Sequence, residues 1–127
     1  MGKKVVGKPI VINGAPVPIS QAVRAGDFLF IAGQLGVDDD FKVVGEDIET
    51  QTRRALANLE AQLKAGGGEL ADVVKVNAWL VDARDFAAYN TVYGSIFSDA
   101  PPVRTTVVSD LLIPGARIEL DAIAFIG

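Results

Sequence analysis

Arg117-Ile118-Glu119-Leu120-Asp121-Ala122-Ile123-Ala124-Phe125-Ile126 reads as an extended strand with two unlike faces. Successive side chains of a strand point to opposite sides. Ile118, Leu120, Ala122, Ala124 and Ile126 therefore form one wholly apolar face, the one expected to meet a core. Glu119, Asp121, Ile123 and Phe125 form the other, which starts acidic and ends apolar. The apolar end of that second face needs cover, and another copy of the chain is its simplest source.

Upstream of this strand, Pro114-Gly115 marks a turn, and Thr105 to Ser109 reads as a further strand. Asp82 and Asp85 bracket a helix start, followed by Phe86, Tyr89, Tyr93 and Phe97 on one stripe, with Pro101-Pro102 as its stop. Val73 to Val81 alternates as a strand. Between Gly45 and Gly68, Ile48, Thr52, Ala55, Leu56, Leu59 and Leu63 recur at helical spacing, with acids at the start and Lys64 near the end. Gly66-Gly67-Gly68 follows that helix, so it reads as a helix stop; a phosphate cradle would precede one. Phe28 to Ala32 reads as a buried strand, and Val5 to Ser20, with three prolines, as extended edge and turns. The order of elements predicts an α+β domain over residues 1–127, with two helices on one face of a mixed sheet.

The chain has 127 residues, 50% hydrophobic and 22% charged, which suits one compact domain. Its net charge of −4 and scattered Lys and Arg argue against a nucleic-acid partner or an anionic membrane. With no Cys and no His, Ser-His and Cys-His nucleophiles and the usual zinc sites are excluded, and no metal or cofactor is expected. The N-terminus lacks the apolar run of a signal peptide, and no stretch approaches membrane-spanning length. A soluble cytoplasmic protein is expected.

Chemistry must then come from charged, hydroxyl and backbone groups. Arg104 follows a double proline that fixes the backbone before it, and its guanidinium is a bidentate partner for a carboxylate. Glu119 lies on the sheet face not assigned to the helices and could orient or deprotonate a water. Position alone leaves the plain readings open: a solvated Arg at a strand start and a solvent-facing Glu near a strand end. Asp121 shares the face of Glu119, but no further carboxylate pattern suggests a metal. Asn90 interrupts the apolar face of the second helix, where a buried amide would need partners and could brace a pocket. Tyr89 and Tyr93 read as packing residues. Trp79 and Asn77 read as outward interface residues.

Taken together, these segments resemble the reactive-intermediate deaminase family, RidA/YjgF, also labelled endoribonuclease L-PSP. The matching pieces are Pro18-Ile19-Ser20-Gln21-Ala22-Val23, Gly26 to Gln34, Gln51-Thr52 with Leu56 and Asn58-Leu59, and Asp72 to Val76. Asp85-Phe86, Asn90, Tyr93, Phe97, Pro102-Val103-Arg104-Thr105 and Ile118 to Ala124 complete them. The resemblance implies a chorismate-mutase-like fold assembled as a trimeric barrel, a homotrimer with clefts between subunits. It implies hydrolysis of 2-imino acids or their enamine tautomers, such as 2-iminobutanoate and 2-iminopropanoate, to 2-oxo acids and ammonia. By position, Arg104 would hold the substrate carboxylate with Thr105 and Thr106 beside it, and Glu119 would position water. Asn90, Gly33 and Ile19 would line or support the pocket.

Two departures stand out. The family commonly has Tyr at Ile19 and Ser at Ala32, so two cleft hydroxyls are missing here, each worth about 0.5–1.5 kcal/mol when bonded. They keep a second reading in view, a non-catalytic module that binds or senses a small carboxylate. A third, endoribonuclease or translation inhibitor, fits the acidic charge and lack of His least.

Overall fold

The computed structural model describes residues 2–127. Eight strands and two α-helices follow in the order β1 (Lys3–Val6), β2 (Val11–Ile12), β3 (Ala15–Pro16), β4 (Ala22–Ala25), β5 (Phe28–Leu35), α1 (Ile48–Ala65), β6 (Val73–Leu80), α2 (Phe86–Ile96), β7 (Val103–Val108) and β8 (Ile118–Phe125). Six strands form one sheet in the order β1-β4-β5-β8-β6-β7, and β2 pairs with β3 apart from it. Every neighbouring pair in the large sheet is antiparallel except β6 and β7, which run parallel, so the sheet is mixed as predicted. Parallel pairing needs a crossover, and α2 supplies it.

Both helices pack on one face. The core joins Ile48, Ala55, Leu56, Leu59 and Leu63 of α1 and Tyr89 and Val92 of α2 to alternate residues of the central strands. Ile118, Leu120, Ala122 and Ala124 of β8 are all within 2% of full burial, as its alternation requires. The helix α1 begins where Asp47 accepts a hydrogen bond from the Thr50 amide at 2.9 Å. It ends at Gly66, whose amide donates to the Gln62 and Leu63 carbonyls, and Gly67 then takes a φ of +86°.

Three local expectations are corrected. β5 is longer than the apolar run Phe28 to Ala32, and it is buried on one side only: Phe28 and Phe30 stay 42% and 45% exposed. They face the side of the sheet that no helix covers. β7 begins at Val103, so Arg104 lies inside the strand. And α2 ends at Ile96, well before Pro101-Pro102, with Phe97 already out of helical geometry (φ −103°, ψ 55°).

One fully buried polar side chain was silent in the sequence. Gln51 of α1 donates from Nε2 to the carbonyls of Gly45 (3.2 Å) and Gly115 (3.0 Å), and its Oε1 accepts from the Arg117 amide at 2.7 Å. Arg117 in turn donates from Nε and Nη2 to both carboxylate oxygens of buried Asp85, at 3.0 and 2.9 Å. This network ties α1, the start of β8 and the start of α2 together. Removing its amide strands buried donors and acceptors that cannot reach water. Gln51→Leu is expected to lower the unfolding free energy by about 2–4 kcal/mol. Urea unfolding at fixed chain concentration checks it; an unchanged midpoint would remove Gln51 from this role.

Candidate functional site

The chemistry-bearing side chains fall into two clusters, one on each face of the sheet. Arg104 and Thr106 pair with Val76 and Ala78 of β6, whose side chains are buried under the helices, so Arg104 and Thr106 lie on the helix face. The guanidinium carbon of Arg104 sits 4.5 Å from the ring centre of Tyr93, 5.2 Å from Tyr89 and 5.8 Å from Phe86. These rings lie along two turns of one helical stripe, spaced i, i+3 and i+7 on α2. Their π faces attract the cation and stiffen its side chain, and the Tyr89 hydroxyl is close enough to the guanidinium to interact with it.

Among the described residues, the ion pairs are Arg54–Asp39, Lys64–Glu60, Arg84–Asp82 and Arg117–Asp85, and Arg104 belongs to none of them. The floor beneath it is polar at its rim. The Tyr89 hydroxyl lies 3.4 Å from Thr106 Oγ1. The Tyr93 hydroxyl is buried with no hydrogen-bond partner. Burial and the neighbouring Tyr89 push the Tyr93 phenol up to about 12, against the pull of Arg104. Tyr93 thus stays neutral, and the charge of Arg104 is uncompensated.

The second cluster lies on the uncovered face. Glu119 pairs with Leu35 and Trp79 on its neighbouring strands, and Asp121 follows on the same side. A register shift between Ile31 and Gln34 sets Ala32 and Gly33 against Asp121 alone, a bulge in β5. Gly33 is required there for space: a Cβ at this position would run into the Glu119 carboxylate. Burial, and then the nearby Asp121, raise the Glu119 carboxyl above its ordinary range. Beside it opens a cavity of about 200 Å³ lined by Trp79, Ser109, Asp110, Leu111, Leu112 and Glu119.

The sequence-derived candidates are therefore not all brought together. Gly33 and Glu119 are in contact, and Arg104 and Thr106 share a side. Thr105, paired with Asn77, faces away from Arg104 toward the Glu119 side. Ile19 lies in the loop before β4 and is 53% exposed. Asn90 is exposed, which corrects the expectation of a buried amide: its neighbour Tyr89 takes the inward position, and about 100° of rotation per residue turns Asn90 out. Arg104 and Glu119 stand on opposite faces of one sheet, and a single copy cannot close both around one small molecule. Among the described residues, no group of three His, Cys, Asp or Glu is placed to hold a metal ion, and no helix is long and apolar enough to cross a membrane.

Two features escaped the sequence. Tyr89 and Tyr93 pack as expected but also form the floor under Arg104, and Trp79 walls the cavity beside Glu119. An aromatic stripe with an unpaired Arg downstream is the only signal of the first, and it needs the parallel β6–β7 pairing to become a contact.

Residues 13–126 match the family model described as endoribonuclease L-PSP. The chain is 44% identical over 120 residues to a RutC family protein of Pyrococcus horikoshii, covering 91% of this chain and 95% of that one. It is 37% identical over 108 residues to the chloroplastic Reactive Intermediate Deaminase A of Arabidopsis thaliana, covering 84% of this chain and 58% of that protein. The crystal structure of RidA from the Antarctic bacterium Psychrobacter superposes with a TM-score of 0.86 at 32% identity, covering 97% and 99% of the two chains. The two helices, the mixed sheet and these matches agree: the chain belongs to the RidA/YjgF family, whose family model bears the name endoribonuclease L-PSP and which includes a reactive intermediate deaminase.

Proposed function

We propose that this chain is a cytoplasmic enzyme, a single domain that hydrolyses 2-imino acids or their enamine tautomers to 2-oxo acids and ammonia, in clefts between the subunits of a homotrimer. The observation that carries this reading is Arg104, an arginine braced over three aromatic rings and left without a carboxylate partner. Such a guanidinium is preorganised for the carboxylate of a small metabolite.

Assembly follows from the placement of the two charges. Glu119 projects from the face opposite Arg104, so the cleft would join Arg104 of one copy to Glu119 of the next. Phe28, Phe30 and Phe125 lie exposed on that same uncovered face, and burial against neighbouring copies would remove them from water. Nucleic acid and membranes have no part in this reading.

The chemistry asks little of the site, because imines need no activated side-chain nucleophile. Arg104 holds the substrate carboxylate. Glu119 accepts a proton as water adds to C2 of the iminium and returns it to nitrogen. The C2–N bond then breaks, the hydroxyl collapses to the carbonyl, and the released proton leaves with ammonia as ammonium. A carboxyl whose affinity for protons is raised by burial suits both transfers. Ile19 and Ala32 favour one alternative, a carboxylate-binding module without turnover, since neither offers the hydroxyl that the family commonly places there. Binding of 2-oxobutanoate with no acceleration of imine loss would establish that alternative.

The direct assay generates 2-iminobutanoate in situ with a threonine dehydratase and traps residual imine with semicarbazide. Wild type is expected to outpace buffer, and Arg104→Ala to lose both turnover and 2-oxobutanoate binding. Arg104→Ala and Glu119→Gln chains, co-expressed at equal levels, are expected to recover about a quarter of wild-type activity, since random assortment rebuilds that share of mixed sites. No recovery in verified mixed trimers would place both residues in one copy.

The Glu119 shift gives a second test. Its carboxyl is raised above 4.5, so kcat/KM is expected to fall as pH drops through that displaced value. A group with a raised folded-state pKa favours the fold when protonated and opposes it when ionised. Glu119→Gln is therefore expected to abolish the acid limb and most activity, while Tm at pH 7 stays equal to wild type or rises. That gain closes as pH falls below the folded-state pKa; a large loss of Tm at pH 7 would make Glu119 structural.

A further inference from the structure

The cavity beside Glu119 is lined by no residue assigned to the substrate carboxylate, and at about 200 Å³ it is larger than one water needs. We infer that it is a side-chain pocket, and that the chain selects 2-imino acids with large apolar side chains, branched or aromatic, over those with a methyl side chain such as 2-iminopropanoate. This rests on the deaminase reading above and adds the substrate class to it.

Three observations carry the inference. Glu119 itself is in the wall, so whatever fills the cavity lies against the group assigned to the reacting carbon. The remaining large lining groups are the Trp79 indole and the side chains of Leu111 and Leu112, with Ser109 and Asp110 as the polar part. And the volume, about 200 Å³, exceeds the roughly 150 Å³ of an apolar cavity that accepts benzene. A methyl group would leave most of it to water, whereas an isobutyl or benzyl group would displace that water and meet the indole. Discrimination by apolar fit runs at about tenfold or more per methylene. Leu112, at 99% exposed, forms the lip. The competing occupant is the Leu112 lip of a second copy, which would make the cavity part of the subunit contact.

The test uses the full chain and an L-amino-acid oxidase with catalase, which generates the imines of alanine, leucine and phenylalanine in situ, with semicarbazide as the competing trap. The expected result is a kcat/KM for the leucine- and phenylalanine-derived imines at least about tenfold above that for the alanine-derived one. Trp79→Ala and Leu112→Ala should both compress this ratio, and Leu112→Ala, at an exposed position, guards against failure of Trp79→Ala to fold. Dissociation constants for the product acids, 4-methyl-2-oxopentanoate against pyruvate, measure the same ratio without turnover. If no imine is turned over but that binding ratio persists and falls in the variants, the deaminase reading fails and the pocket stands. Equal affinities and equal rates across side chains overturn the pocket. So does a change of oligomeric state in either variant with the ratio intact, which assigns the cavity to the neighbouring copy.

Discussion

Two helices can cover only one face of a six-stranded sheet, and the alternation of strand side chains turns that limit into the plan of the molecule. Every strand residue is assigned to a helix-covered side or a bare side by its parity. On the covered side, Leu29, Val76, Ile118 and Leu120 lie within 1% of full burial. On the bare side, Phe28, Phe30 and Phe125 remain exposed, while Glu119 and Asp121 are half-buried. Arg104 and Glu119 differ in parity relative to the core, and no side-chain rotation can reverse that. The register of β6 against β7 and β8 thus decides what one copy can and cannot build.

The same parity explains what the sequence disclosed. α1 and β8 were legible because each has one continuous apolar side set against a side that carries charges, and Ile118, Leu120, Ala122 and Ala124 are buried as the pattern requires. β5 was read as buried throughout because Phe28 and Phe30 are as apolar as Leu29 and Ile31. A residue destined for an uncovered apolar face has the composition of a core residue, and periodicity cannot separate them. Asn90 failed for a related reason: next to Tyr89, it could occupy either edge of the stripe until the crossing of α2 over the sheet chose one. The role of Gln51 was invisible because two of its partners, Gly115 and Arg117, are distant in sequence and all three, Gly45 included, meet it through backbone groups.

Two arginines near the C-terminal half show how charge is handled in opposite ways. Arg117 spends its fork on Asp85, a bidentate pair that also joins the Gln51 network, and it thereby becomes part of the framework. Arg104 is held over π faces and beside the Tyr89 hydroxyl, which constrain its position and put no carboxylate on its fork. An aromatic floor is thus the arrangement that combines rigidity with availability. A carboxylate in place of Tyr93 would hold Arg104 as firmly but consume the very groups a ligand needs.

Glu119 follows the same logic with the opposite sign. Its carboxyl is partly withdrawn from water, faces Asp121 along the strand, and forms no ion pair among the described residues. Gly33 gives up a side chain to make room for it, at a bulge that itself interrupts the ladder between β5 and β8. Each of these features opposes folding slightly, and a Gln or an apolar residue at 119 would relieve them. Neither unpaired charge can neutralise the other within one copy, because the sheet lies between them. Their electrostatic demand is directed outward, Arg104 toward an anion and Glu119 toward a cation or a proton donor. A 2-imino acid carries both, a carboxylate at C1 and an iminium at C2. A cleft that brought the two faces of neighbouring copies together would bind that pair of charges in one orientation, with the reacting carbon beside Glu119.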